Sequence, residues 1–102
     1  MIPVLEPFRP QIEALCRRYH VALLEVFGSV LGAKSLDDCR DVDLLVTFAP
    51  MSAGDHADCY FGLWEGVASV LGKRVDLVEA PAIRNPHFQQ EVDQTRRPLY
   101  AA

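Results

Sequence analysis

Three short apolar runs, Val21–Phe27, Asp41–Phe48 and residues 73–79, constrain what this chain can fold into more than any other feature. Gly28 closes the first, Pro50 and the Ser52-Ala-Gly-Asp55 cluster close the second, and Pro81 follows the third. Runs of this length, bounded by turn residues, are too short for buried helices and read as largely buried strands. Amphipathic segments separate them. Over residues 7–19, Phe8, Ile12, Leu15, Cys16 and Tyr19 recur every three or four positions, with Arg17 and Arg18 opposite and Pro10 in the first turn, which predicts a helix. A second helix is expected to begin near Asp55, capped by that carboxylate, to carry Tyr60, Trp64, Val67, Ala68 and Leu71 as an inner stripe, and to stop at Gly72. A third is expected to be capped by Asn85 with Pro86 at its first position, anchored by Phe88 and Val92, and halted by Pro98, with Leu99 and Tyr100 docking the tail onto the core. Residues 29–34 have room for one or two helical turns, and 35–40 read as an exposed acidic loop. The order α, β, short α, β, α, β, α predicts an α/β (α+β) fold, a small mixed sheet flanked by helices.

Length and charge limit the function. A chain of 102 residues with six glycines and seven prolines is expected to be one packed domain, 1–102, without repeat, linker or low-complexity tract. A net charge of −4 is the wrong sign for gripping nucleic acid through its phosphates. Cys16, Cys39 and Cys59 have no metal-ligand spacing and are odd in number, so reduced thiols and a cytoplasmic setting are expected. Prolines and Glu6 interrupt the first ten residues where a secretory segment or membrane span would need continuous apolar sequence.

The residues that suggest chemistry are Gly28-Ser29 after the first strand, Asp41-Val42-Asp43 opening the second, and Asp76 inside the third. Side chains two apart in a strand leave the same face, so Asp41 and Asp43 point together, and Asp76 can join them from a neighbouring strand. Three carboxylates converging in this way repel one another and resist desolvation unless a cation lies between them. Oxygen-only ligands favour Mg²⁺ or Mn²⁺ over zinc, and Mg²⁺ typically binds through one or two carboxylates plus substrate phosphates. A glycine at the strand end lets backbone approach a phosphate, and the start of the following helix favours anionic charge. Together these describe a site for a nucleoside triphosphate. The other candidates have plainer explanations. His20, His56 and His87 share no spacing with a nucleophile, Asp37 and Asp38 solvate a loop, and Tyr60 and Trp64 are expected to pack in the core. Arg84, Arg96 and Arg97 form at most a modest basic edge.

Phe27-Gly28-Ser29, an eleven-residue spacer, Asp41-Val42-Asp43-Leu44-Leu45-Val46 and Val75-Asp76-Leu77-Val78 resemble the nucleotidyltransferase superfamily that includes DNA polymerase beta, whose palm-like fold is then expected. The match is closest to the minimal, MNT-type domains paired with HEPN proteins in toxin–antitoxin modules. It extends to the ending, from Arg84-Asn85-Pro86-His87-Phe88 to Pro98-Leu99-Tyr100. The resemblance implies that Asp41 and Asp43 bind two Mg²⁺ ions, with Mn²⁺ as an alternative. It further implies that Asp76 holds the catalytic metal and orients the acceptor, and that Gly28 and Ser29 contact the β- and γ-phosphates of ATP. It also implies transfer of AMP to a hydroxyl of a HEPN-type helical partner protein, with release of pyrophosphate. Where minimal members commonly carry Arg-Gly, this chain has Gly32-Ala33. That departure opens an alternative, a weak or inactive antitoxin that acts by binding alone. Homo- or hetero-oligomeric state stays open at this level.

Overall fold

The three apolar runs become strands β1 (Val21–Phe27), β2 (Asp41–Phe48) and β3 (Arg74–Glu79) of one four-stranded sheet. The computed structural model describes residues 2–80 and 85–102, so Pro81 and Arg84 lie outside the described residues. β1 and β2 are antiparallel, and β2 and β3 are parallel. A parallel pair needs a crossover, and helix α2 (Ala53–Leu71) supplies it. The fourth strand, β4 (Arg97–Ala101), runs antiparallel to β1 and completes the order β3-β2-β1-β4. The expected docking of Leu99 and Tyr100 thus takes the form of strand pairing. Pro98 is tolerated because β4 is an edge strand whose register with β1 shifts between Leu24 and Glu25.

Alternation along the strands sorts the side chains into two layers. Leu24 and Val26 of β1 and Val42, Leu44 and Val46 of β2 are fully buried on one face. They pack with Ile12 and Cys16 of helix α1 (Arg9–Arg18) and with Leu63 and Val67 of α2. Cys16, Cys39 and Cys59 are buried, unpaired thiols, and burial pushes Cys16 up to about 12, where it is inert. The other face carries a smaller cluster of Phe27, Leu45 and Val92, the last from helix α3 (Pro86–Thr95). α3 therefore covers only part of the sheet face opposite the main core.

Local chemistry adjusts several boundaries. α2 starts at Ala53 because the Ser52 hydroxyl accepts the Asp55 backbone N–H at 3.2 Å, so Ser52 is the cap and Asp55 lies in the first turn. Gly72, at φ +64°, ends the helix in the left-handed conformation. After β1 the chain makes a 3₁₀ turn over Gly28–Gly32 in place of α-helical turns, and a second over Leu36–Asp38. Trp64 is 40% exposed and does not belong to the core stripe. Its indole N–H donates to the Val75 carbonyl at 2.8 Å, and the Tyr60 hydroxyl donates to the Leu77 carbonyl at 2.6 Å. The two rings thereby cover carbonyls of edge strand β3 that no neighbouring strand satisfies.

α1 and α2 approach closely because Gly62 and Gly66 lack side chains. A Cβ at Gly66 would lie 2.8 Å from Leu15 Cδ2, and one at Gly62 would lie 2.6 Å from Tyr19 Cζ. Gly62→Val is expected to destabilise the protein by about 1–3 kcal/mol, the usual cost of overpacking a tight contact. The shift in urea midpoint at constant m-value measures it, and an unchanged midpoint would show that the helices can separate freely.

Candidate active site

The motif residues assemble at the uncovered part of the sheet. Asp43 pairs in register with Phe27 on one side and Asp76 on the other, and Asp41 pairs with Arg74. Partners in register share a face, so Asp41, Asp43 and Asp76 all leave the face opposite the main core. Leu45, two residues beyond Asp43, is already buried with Val92. The acids thus stand just where the α3 cover ends. Asp43 is half-buried and Asp76 is exposed at the rim.

Gly28 adopts φ +80°, and a Cβ there would press directly on Asp43 Oδ2. The glycine after β1 serves both a backbone conformation that other residues rarely adopt and a close approach to a carboxylate. Ser29, the next residue, is exposed. Phe27, Gly28, Asp43 and Asp76 line one wall of a cavity of about 430 Å³, with Phe88 and Val92 of α3 on another. A larger cavity of about 650 Å³ beside Trp64 and Lys73 contains none of the three acids, so size alone does not mark the site.

The electrostatics are unfavourable without a cation. Burial raises the Asp43 carboxyl above its usual range, and the charges of Asp76 and then Asp41 raise it further. Asp41 Oδ1 is buried without a hydrogen bond. Arg74 Nε stands 3.6 Å from it, an ion pair beyond hydrogen-bond reach whose arginine is 85% exposed and which stabilises little. Among the described residues, no three carboxylate, imidazole or thiol side chains are gathered closely enough to chelate one ion. The acids nevertheless suit Mg²⁺, which takes one or two carboxylates and fills its remaining positions with water and phosphate oxygens. Asp43 with Asp76, and the unsatisfied oxygen of Asp41 beside them, are the groups that could hold it.

Phe88 and Val92 were legible in the sequence only as helix anchors, because nothing in it fixes which part of the sheet α3 crosses. Glu25 is a further acid on this face, nearly buried beneath the end of α3, where Arg96 Nε approaches its carboxylate at 3.6 Å. Its strand context gave no sign of that partner.

The mixed sheet sets a glycine turn against an acidic strand pair, and the nucleotidyltransferase domain family matches residues 9–100. The chain belongs to that family and is a nucleotidyltransferase. It is 25% identical over 91 residues to a Methanocaldococcus jannaschii protein named "putative protein adenylyltransferase", a match covering 89% of each chain. It is 31% identical to a solved "putative minimal nucleotidyltransferase", with a TM-score of 0.65 and coverage of 95% of this chain and 94% of that one. The fold also superposes, at TM-score 0.62 and 23% identity, on a solved complex of a tri-AMPylated Shewanella oneidensis HEPN toxin with an MNT antitoxin, covering 92% of this chain and 70% of that chain.

Proposed function

We propose that the chain is a Mg²⁺-dependent enzyme that transfers AMP from ATP to a hydroxyl group of a helical, HEPN-type partner protein, as the antitoxin of a toxin–antitoxin pair. Residues 1–102 form its single catalytic domain, and it operates in the cytoplasm with Mn²⁺ as a substitute ion. The observation that carries the reading is the in-register pair Asp43 and Asp76 with Gly28 against Asp43. The names of its relatives point to protein adenylylation. The excess of acidic over basic side chains disfavours a nucleic-acid acceptor.

In this reading Gly28 and Ser29 admit the β- and γ-phosphates beside Asp43, where a side chain at position 28 would block them. Asp43 with Asp76, and Asp41 beside them, would hold Mg²⁺, which when bound would neutralise charge on the attacking and leaving oxygens. Asp76, at the exposed rim, orients the acceptor hydroxyl and takes its proton at a carboxylate oxygen before passing it to water. The acceptor oxygen forms a bond to the α-phosphorus. The bond from that phosphorus to the bridging oxygen breaks, its electron pair leaving on pyrophosphate. Positioning and charge neutralisation are most of what this chemistry asks of a protein, so a small scaffold suffices when the partner brings the acceptor.

Incubation with Mg²⁺, ATP labelled at the α-phosphate and the product of the neighbouring gene is expected to label that product. Absence of label with wild-type protein, or label that persists with the Asp41→Asn/Asp43→Asn double variant, would overturn the reading. Gly32-Ala33 in place of Arg-Gly favours the second reading, neutralisation by binding alone. Full neutralisation of the partner by the double variant is the outcome that reading requires.

A further inference from the structure

We propose that the α3 wall of the 430 Å³ cavity is the nucleobase site, with Phe88 supplying the ring against which the base packs and Gln94 the polar group that meets its edge. The proposal rests on the nucleotidyltransferase reading above and goes beyond it, because nothing in that reading says which residues hold the nucleoside.

One cavity joins two chemically different surfaces. Its sheet side offers Gly28, Asp43 and Asp76, and its helix side offers Phe88, Val92 and the amide of Gln94. A ligand that fills it must bring a cation to the carboxylate end and a flat, apolar surface with a polar edge to the other, which describes a nucleoside phosphate carrying its metal ion. The volume lies within the range of roughly 300–1,000 Å³ typical of small-molecule sites. Phe88 is held rather than loose: its ring meets Phe27 edge-to-face with centroids 5.9 Å apart and planes at 76°. Phe27 is the residue before Gly28 and the register partner of Asp43, so the contact ties the aromatic wall to the phosphate end. Gln94 is exposed, and its amide makes no side-chain hydrogen bond among the described residues. An amide carries both donors and an acceptor, as a base edge does. The acceptor hydroxyl, borne on a protein too large for the cavity, has its approach at the exposed Asp76 rim.

Calorimetry on the full chain with two probes, MgATP and magnesium tripolyphosphate, tests this. Tripolyphosphate has the anionic end and lacks the nucleoside. Wild-type protein is expected to bind MgATP more tightly than tripolyphosphate. Phe88→Leu, which keeps an apolar side chain in the Phe27 contact, is expected to weaken MgATP about fivefold, the low end of what loss of a base–aromatic contact costs. Gln94→Ala, at a surface position that leaves the fold intact, is expected to weaken it by a similar factor. Both are expected to leave tripolyphosphate binding within about twofold of wild type, because neither touches the phosphate end. Equal affinity of wild type for the two probes, or MgATP binding unchanged in both variants, would overturn the base site while leaving the phosphate and metal reading in place. Loss of tripolyphosphate and MgATP together in Gln94→Ala would overturn it too. Failure of wild type to bind either probe strikes the nucleotidyltransferase reading itself, and the base site falls with it.

Discussion

Asp43→Asn is expected to lower AMP transfer by about 10³-fold and, in the same molecule, to raise the melting temperature of the metal-free protein. The rate follows from the proposed role: losing a charge that would hold the metal removes several kcal/mol of transition-state stabilisation, and about 4 kcal/mol corresponds to 10³. The stability follows from the raised carboxyl of Asp43, which burial, Asp76 and Asp41 hold above its unfolded value of 3.8. Between those two values the native state binds more protons than the unfolded state, so stability falls as pH rises through the window. Above the raised value the penalty is complete, and at pH 7 ionised Asp43 works against the fold. Asn removes the charge and keeps the shape. For a domain of this size, each kcal/mol gained appears as roughly 4–8 °C, so even a small gain is readable as an upward shift. Mg²⁺ is expected to raise the melting temperature of wild type at pH 7 and to leave Asp43→Asn nearly unmoved, since a ligand stabilises only the state that binds it. Thermal melts at pH 7 and pH 4.5, with and without Mg²⁺, separate these effects. The advantage of the variant is expected to shrink at the lower pH, where wild-type Asp43 is closer to neutral. A variant that melts below wild type in metal-free buffer at pH 7 would show that Asp43 is a structural acid.

What the sequence discloses and what it withholds divide along physical lines. Strands β1, β2 and β3 are legible because their apolar runs end in glycine, proline or polar clusters, and two-residue alternation places Asp41 and Asp43 on one face without any coordinates. Which residue on a neighbouring strand stands beside Asp43 is a matter of register, and only the structure pairs it with Asp76. β4 is hidden because Pro98 reads as a stop signal, and its tolerance depends on lying at a sheet edge, a tertiary fact. Trp64 lies on the helical stripe of Val67 and Leu71, yet its ring covers the edge of β3, where its N–H finds a carbonyl. Periodicity locates a face and does not say where the face ends. The same limit applies to α3: Phe88 and Val92 identify its inner side, but the boundary between covered Leu45 and uncovered Asp43 is set by how the helix crosses the sheet. The distinction between a strand that is merely acidic and one that forms a cleft lies in that crossing.

Gly28→Ala is expected to cost about 2–3 kcal/mol of stability and at least tenfold in affinity for MgATP, two effects with one origin. At φ +80° a side chain is strained by about 1–2 kcal/mol wherever it has room, and here its Cβ also presses on Asp43 Oδ2. Asp43 cannot yield toward β3 without meeting Asp76, its register partner and a like charge. Relief must therefore come from rotating the carboxylate away from its present direction, on which the proposed metal and phosphate site depends. The two contributions can be separated, because the conformational strain belongs to position 28 alone and the collision needs both residues. In the Asp43→Ala background the collision vanishes, and Gly28→Ala should then cost only the strain, so the double variant is more stable than the sum of the two single changes predicts. Urea unfolding of the four proteins measures that coupling, expected at about 1 kcal/mol. Strict additivity would mean that the methyl group added at position 28 does not meet Asp43, and the glycine would then serve the turn alone, with no part in keeping the carboxylate aimed at its ligand.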